Sequence, residues 1–299
     1  MIALKTVLCP VDFSAATPRQ VDLAAELSRT FGARLVLHHN RSSMGTVGSV
    51  GWMWNEAHHG DSQIVVDAKL RDCLARVPEG VRAEPLTTEG PPSRAVLAAG
   101  ELVKADLVVL TAHGTHADDH ASITQRVLED GGRAVLVLHE ATVEPRTPRF
   151  SSDSTEPQVV VAATDLNPVS RAALEQGFDL ARRLPIELHL LHVVSSAGLW
   201  RSHHVASDDE VLGKLRALVP EDLAARVKVH VAHGDIGQGI ATAADRMAAV
   251  CIVMGEHSRT AGRRWFGRDP QSVVLHEAHC PVWYVPSSGP RKAMPSLEG

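Results

Sequence analysis

The sequence predicts an α/β protein of two tandem halves, each a parallel sheet covered by helices on both faces. Three observations carry this expectation. The chain repeats itself once, and within each copy strand-like runs alternate with helical patterns. Those runs are apolar nearly end to end, as strands buried on both faces are. The length of 299 residues suits two domains of ordinary size.

The first repeated element is a strand that ends on an acid. "TVLCPVDFSAATP" near the start and "VVVAATDLNP" further on each pass from β-branched residues through a small residue to Asp12 or Asp165. A turn then leads into Thr17-Pro18 or Asn167-Pro168, which read as helix starts, the polar residue capping and the proline fitting the first turn. The helices follow as "VDLAAELSRTFG" and "ALEQGFDLARRL". In the first, Val21, Ala24, Leu27 and Phe31 recur at helical spacing, and Gly32 is placed to end it. Second strands read "ARLVLHH" and "IELHLLHVV", which sets His39 opposite His192.

The clearest correspondence comes next and needs no gap. Thr87–Gly114 lies over Val231–Ser258, and both read as short strand, turn with glycine, amphipathic helix, small residues, buried strand and loop. Each half closes on a last strand, "RAVLVLH" or "CPVWYVP". Between the halves, "EPRTPRFSSDSTEP" is rich in proline, serine and charge and reads as a linker. The expected division is a first domain over 1–143, a linker over 144–157, a second domain over 158–287 and a flexible tail over 288–299.

Bulk properties narrow the function. A net charge of −5 gives no dense Lys/Arg face, so no nucleic acid is expected. No apolar run approaches the roughly 20 residues of a membrane span, so no membrane partner is expected either. The opening "MIALKTVLCPVDFS" lacks the features of a signal peptide, and a cytoplasmic location is expected. Cys9, Cys73, Cys251 and Cys280 show no framework spacing and read as reduced thiols. In doubly wound sheets, ligands bind beyond the carboxyl ends of the strands where strand order reverses. Asp12, Asp165 and the loops after Leu110 and Met254 all fall at such ends.

The strand ending in Asp, the "EGPPSRAVLAAGELVKADLVVL" segment and the closing "VVLHEAHCPVWYVP" resemble a universal stress protein, and two copies resemble its tandem form. The resemblance covers nearly everything but linker and tail. It implies a five-stranded Rossmann-like fold per half, akin to nucleotide-binding α/β proteins such as the adenine-nucleotide α-hydrolase-like group. It also implies a pseudo-dimer paired through the last strands, and a role in stress resistance. Some members of that family bind ATP through Gly-x2-Gly-x9-Gly-Ser/Thr after the fourth strand, with the first strand's Asp at the adenosine end. In such a loop glycines let backbone N–H groups approach phosphates.

Neither half keeps that pattern intact. In the first it becomes Thr111-x2-Gly114, then only "THADDH", then Ala121-Ser122: three residues short, with Asp118 and Asp119 inside. Ser122 and Asp12 survive, but two carboxylates facing a triphosphate repel it, so Asp12, Gly114 and Ser122 are read as a degenerate site. In the second half, Gly255-x2-Ser258-x9 ends on Arg268-Asp269 where Gly-Ser/Thr is expected, and a one-residue slip puts Gly267 there. Arg259, Arg263 and Arg264 give that loop a positive character, and Asp165 matches the family Asp. Asp165, Gly255, Ser258, Gly267 and Arg268 are therefore the better candidate nucleotide site.

Other constellations are weaker. His113, His116 and His120, like His276, His279 and Cys280, have spacings able to ligate zinc, but 17 histidines make such sets frequent, and no metal is expected. Trp54 precedes His58-His59 as Trp200 precedes His203-His204, each after a second strand. Tryptophans closing the sheet's open end explain this more simply than an aromatic-walled cleft. No Walker loop, kinase signature, metal-protease helix or nucleophile elbow stands in the sequence.

The expected function is thus non-catalytic: a stress-response protein that binds a small ligand or a protein partner. One alternative is an ATP-binding member with the site in the second half. Another is a slow ATP-hydrolysing or nucleotidyl-transferring enzyme. No cofactor is assigned beyond the ATP of those alternatives. The two halves can satisfy each other's edge strands, and homo-oligomers remain compatible with that.

Overall fold

The computed structural model describes residues 4–41, 63–112, 123–139, 150, 157–167, 170–195, 207–255 and 269–286. In chain order the first half runs β1 (Thr6–Pro10), α1 (Thr17–Phe31), β2 (Arg34–Arg41), α2 (Gln63–Ala75), β3 (Ala83–Glu89), α3 (Pro92–Val103), β4 (Leu107–Ala112), α4 (Ile123–Gly131) and β5 (Ala134–His139). The second repeats it as β6 (Gln158–Ala163), α5 (Arg171–Arg183), β7 (Ile186–Ser195), α6 (Asp208–Ala217), β8 (Val227–Gly234), α7 (Ile236–Arg246), β9 (Cys251–Gly255), α8 (Pro270–Glu277) and β10 (Val282–Val285).

All ten strands join one sheet in the order β3-β2-β1-β4-β5-β10-β9-β6-β7-β8. Within each half every pairing is parallel, and the two halves meet where β5 and β10 pair antiparallel, Val137 opposite Val282 and Val135 opposite Tyr284. This is the doubly wound, tandem α/β pseudo-dimer that the sequence predicts. Strand order reverses between β1 and β4 in the first half and between β6 and β9 in the second. A crevice at the carboxyl ends is the geometric consequence.

The gapless repeat is written into the backbone. Gly90 and Gly234 both take positive φ, 118° and 130°, at the turn into the next helix. Lys104 and Ala248 both take φ 53° before the buried strand. Phe13 and Leu166, each following the strand-end Asp, take φ 59° and 61°. A bulky residue in that region costs of the order of 1 kcal/mol, so its recurrence reflects a conserved turn geometry within the chain.

The helix starts differ from the expectation. Helix α1 begins at Thr17 with proline in its first turn, but the cap position is Ala16 and carries no side-chain cap. The Thr17 hydroxyl instead donates to Asp12 Oδ1. Helix α5 begins at Arg171 rather than at Asn167, with Ser170 before it. In both cases the polar residues are drawn into the turn around the acid, where short side chains compete with helix capping.

Two apolar layers cover the sheet, one on each face. On β10 the alternation sends Trp283 into one layer and Tyr284 into the other, and both are fully buried. The expected linker is not wholly solvent-facing: Phe150 is buried and meets the Trp283 ring edge-on at 6.1 Å between centroids. The Thr30 hydroxyl at the end of α1 donates to the Phe150 carbonyl. Beside it, the Arg183 guanidinium of α5 lies 5.4 Å from the Phe31 ring centre, so α1 and α5 also touch across the seam. No described helix is long and apolar enough to cross a membrane.

Candidate functional site

Each half builds the same turn where its first strand ends. In the first, the Val11 N–H donates to the His38 carbonyl at 2.7 Å, and Asp12 then leaves the sheet. Asp12 Oδ1 accepts from the Ser14 N–H at 2.9 Å and from the Thr17 hydroxyl at 3.1 Å, closing a tight turn. In the second, the Thr164 N–H donates to the Leu191 carbonyl at 2.9 Å. Asp165 Oδ1 accepts from the Asn167 N–H at 3.0 Å, and its Oδ2 from the Asn167 side chain at 2.7 Å. Both candidate acids are thus held by local donors.

The correspondence of His39 with His192 is exact in its bonding. His39 Nδ1 donates to the Val11 carbonyl at 2.9 Å and His192 Nδ1 to the Thr164 carbonyl at 2.8 Å. A carbonyl only accepts, so each ring carries its proton on Nδ1. The two halves diverge at the residue after the acid. Phe13 stacks on His39 with ring centres 4.3 Å apart, whereas Leu166 offers no ring.

Where β1 and β4 part, the first half contains a cavity of about 210 Å³. Its floor is the carboxyl ends of β1, β2 and β4, and its walls come from Pro92 and Val96 of α3 and Ile123 and Thr124 of α4. Gln20, buried on α1, spans the divergence: its amide donates to the Pro10 and Val109 carbonyls at 2.7 and 2.8 Å and accepts from the Thr111 hydroxyl at 3.1 Å. The equivalent place in the second half holds Ala173, whose side chain cannot make these bonds.

Two polar side chains of the lining are left incomplete. His38 is 1% exposed, and its Nε2 shares a hydrogen bond with the Thr88 hydroxyl at 2.7 Å. Its Nδ1 is buried with no partner among the described residues. Burial, and secondarily the neighbouring His39, push the His38 imidazole down to a pKa of about 4, so it is neutral at physiological pH. The Asn40 side-chain N–H donates to the Gly90 carbonyl at 2.9 Å, while its buried Oδ1 has no partner among the described residues. Such groups cost free energy unless something donates to them.

The remaining candidates are placed as follows. Gly255 is the buried last residue of β9, and its carbonyl accepts from the Gln271 side chain at 3.0 Å. Asp269, which stands where the family motif expects a hydroxyl, caps α8 by accepting from the Ser272 N–H at 3.3 Å. Ser258, Gly267 and Arg268 lie outside the described residues, as do Gly114, Ser122, His113, His116, His120 and both Trp/His-His segments. His279 Nδ1 bonds Asp245 at 2.7 Å and Cys280 packs in an apolar layer. Among the described residues no group of three His, Cys, Asp or Glu could hold a metal ion. None of the four buried cysteines forms a disulfide, and burial raises the Cys9, Cys73 and Cys251 thiols above their ordinary range.

A larger, open groove of about 590 Å³ sits at the opposite, amino-terminal edge of the second half. Its arginines are already engaged: Arg182 pairs with Asp222 at 2.7 Å, and Arg226 donates to the Leu184 and Ile186 carbonyls. Chemistry and topology both favour the smaller cavity. The sequence missed His38, Asn40 and Gln20, although the "HHN" run at the end of a buried strand was the available signal.

The universal stress protein family profile matches residues 3–139 and 157–286. The chain belongs to the universal stress protein family. Two matches in succession make it a tandem member. A universal stress protein from Archaeoglobus fulgidus DSM 4304 superposes with a TM-score of 0.66 at 19% identity, covering 94% of this chain and 98% of that one. A protein from Pseudomonas aeruginosa UCBPP-PA14 assigned to the same family gives 0.60 at 14% identity, over 95% and 94% of the two chains. A protein of unknown function from Pseudomonas aeruginosa PAO1 gives 0.59 at 14% identity, over 95% and 93%. These likenesses establish the fold. No curated protein matches the chain.

Proposed function

We propose that this tandem universal stress protein acts without catalysis, by holding a small ligand in the first-half cavity as part of a stress response. The observation that carries the reading is the cavity at the β1/β4 divergence, lined by two buried side chains, His38 and Asn40, with unused hydrogen-bonding atoms. Polar groups beside an otherwise apolar hollow are the usual composition of a ligand site. The sequence favours the second half for ATP, but there the Asp165 carboxylate is held on both oxygens by Asn167. Burial raises the Cys9, Cys73 and Cys251 thiols, which argues against an activated nucleophile among those three.

The test is thermal stabilisation of the full chain across a small-molecule panel, followed by calorimetry on whatever shifts the melting temperature. Binding that the cavity-filling Ile123→Trp variant abolishes would support the reading. Binding that survives Ile123→Trp but is lost in Asp165→Ala would move the site to the second half. Phosphate release from Mg-ATP above the buffer rate, retained in purified repeats, would replace the non-catalytic reading with the enzymatic one.

A further inference from the structure

The outer strands of the second half carry a group of titratable side chains that the proposed ligand site does not use. Glu187 and His189 on β7 share a face with Lys228 and His230 on β8, where the register sets His189 beside Lys228 and Leu191 beside His230. Leu191 and Val193 on that face enter an apolar layer, so the four polar residues occupy its amino-terminal end. The His189 and His230 rings stack with centres 4.7 Å apart and planes 15° apart. His189 is buried and His230 half-buried. His189 Nε2 meets Glu187 Oε1 at 2.5 Å, and Lys228 Nζ meets the same oxygen at 2.5 Å. An ionised carboxylate only accepts, so His189 carries a proton on Nε2. His189 Nδ1 and His230 Nε2 are buried without partners among the described residues.

One carboxylate therefore serves both an ammonium and an imidazole. Lys228 and then His189 hold the Glu187 carboxyl below its ordinary range, so it stays ionised as the pH begins to fall. Burial first, then His189 and Lys228, push the His230 imidazole below its ordinary 6.5, and Glu187 opposes them. Helix α7 covers this face, with Gly239 against Val193, and its own charged groups are Asp245, which bonds His279, and Arg246. Protonating both rings would stack two cations beside Lys228 and turn both buried nitrogens into donors without acceptors among the described residues. Strand β8 is the outermost of the sheet and pairs only with β7 among the described residues, so it is the element placed to yield.

We propose that the stacked pair makes β8 acid-responsive: when both rings hold protons, a single carboxylate cannot balance them, and the strand loosens from β7. The device stands apart from the ligand reading, and from His38 in the other half. His230 takes its proton more readily once β8 has swung free, so the strand is held fully above about pH 6.5 and progressively less below it.

Amide hydrogen exchange of the full chain, read by NMR at about pH 7 and about pH 5 and corrected for intrinsic exchange, tests this. The β9 amides serve as the reference for global stability. The expected result is that β8 protection falls at least about threefold more than β9 protection. His230→Phe keeps a stacked ring and removes the proton, and should abolish that excess. Glu187→Gln removes the charge that favours protonated His230, and should enlarge it. Equal losses in β8 and β9, or an excess that persists in His230→Phe, overturn the proposal. The imidazole resonances of the unsubstituted chain decide it without any variant. A second protonation step below the ordinary 6.5 supports a pair that titrates as a unit, and two rings titrating independently at about 6.5 refute it.

Discussion

Phe150 offers the sharpest test of how the two halves are held together. Its neighbours in the sequence are proline, serine and charge, and a solvated linker residue would tolerate truncation within about 0.5 kcal/mol. The structure instead buries the ring to 1% exposure against Trp283, with its carbonyl bonded by Thr30. Phe150→Ala removes a fully buried ring and its edge-to-face contact, for which core substitutions cost about 3–5 kcal/mol. Thr30→Val removes only the hydroxyl and should cost about 1 kcal/mol. Because the Thr30 bond goes to the backbone, it survives Phe150→Ala in part, and the double variant should cost less than the sum. Urea unfolding followed by tryptophan fluorescence reads both, since Trp283 lies at the contact. A Phe150→Ala loss below about 1 kcal/mol would mean that the ring does not anchor the linker and that the seam relies on the β5–β10 pairing and the Arg183–Phe31 contact.

The other predictions test packing and titration. A Cβ on Gly237 would meet Val273 Cβ at 2.5 Å and the Pro270 carbonyl at 3.0 Å, so Gly237→Ala should destabilise by about 1–3 kcal/mol, whereas Gly213→Ala, with nothing within 4 Å, should stabilise by about 0.4–1 kcal/mol; paired melting curves decide. His38 titrates near 4 in the fold against 6.5 in the unfolded chain, so the unfolded state binds the extra proton and stability drains as pH falls from about 6.5 towards 4, by about 3 kcal/mol in all. His38→Gln should flatten that slope in urea titrations at pH 7 and 4.5, and an unchanged slope would assign the acid loss elsewhere. Asp12→Ala deletes the acceptor of two turn bonds and should cost about 1–3 kcal/mol, against a smaller loss for Asp12→Asn, measured by thermal unfolding.

The architecture was legible in the sequence because its signals are local and repeated. Apolar strands, strand-end acids and the gapless match of Thr87–Gly114 with Val231–Ser258 each name an element without reference to any other. The His39–His192 correspondence followed from the same alignment and proved to be a shared bond to the strand before the acid. The cavity was not legible for the opposite reason. His38 and Asn40 sit on β2, Gln20 on α1, Val96 on α3 and Thr124 on α4, and nothing in their spacing shows that the fold brings them together. Alternation along "LHHN" says that His38 and Asn40 share a face, but not which face, nor that their second hydrogen bonds go unmade. The first helix starts at Thr17 as expected, but Thr17 does not cap it and the second starts later than Asn167, because both polar residues bond the acid in the turn. Asp269, odd as a phosphate-loop residue, makes sense as a helix cap.

The joining of the two halves follows from the sheet. Strands β5 and β10 would each be a bare edge in a single copy, and their residues are almost wholly buried, Val135 to Leu138 on one side and Val282 to Val285 on the other. Antiparallel pairing removes both edges at once and leaves β3 and β8 as the outer strands. Strand β3 carries Pro85, which has no N–H to offer, together with Glu84 and Glu89; β8 carries Lys228 and His233. Charge and proline at an edge discourage further strand addition. The seam is therefore made by pairing and burial that both copies share, and the fused chain needs no second copy to supply it. Relieved of symmetry, the two turns after the acid can diverge, Phe13 stacking on His39 while Leu166 offers no ring. In the first half Gln20 bridges the crevice, and His38 and Asn40 beside it keep polar atoms without partners among the described residues.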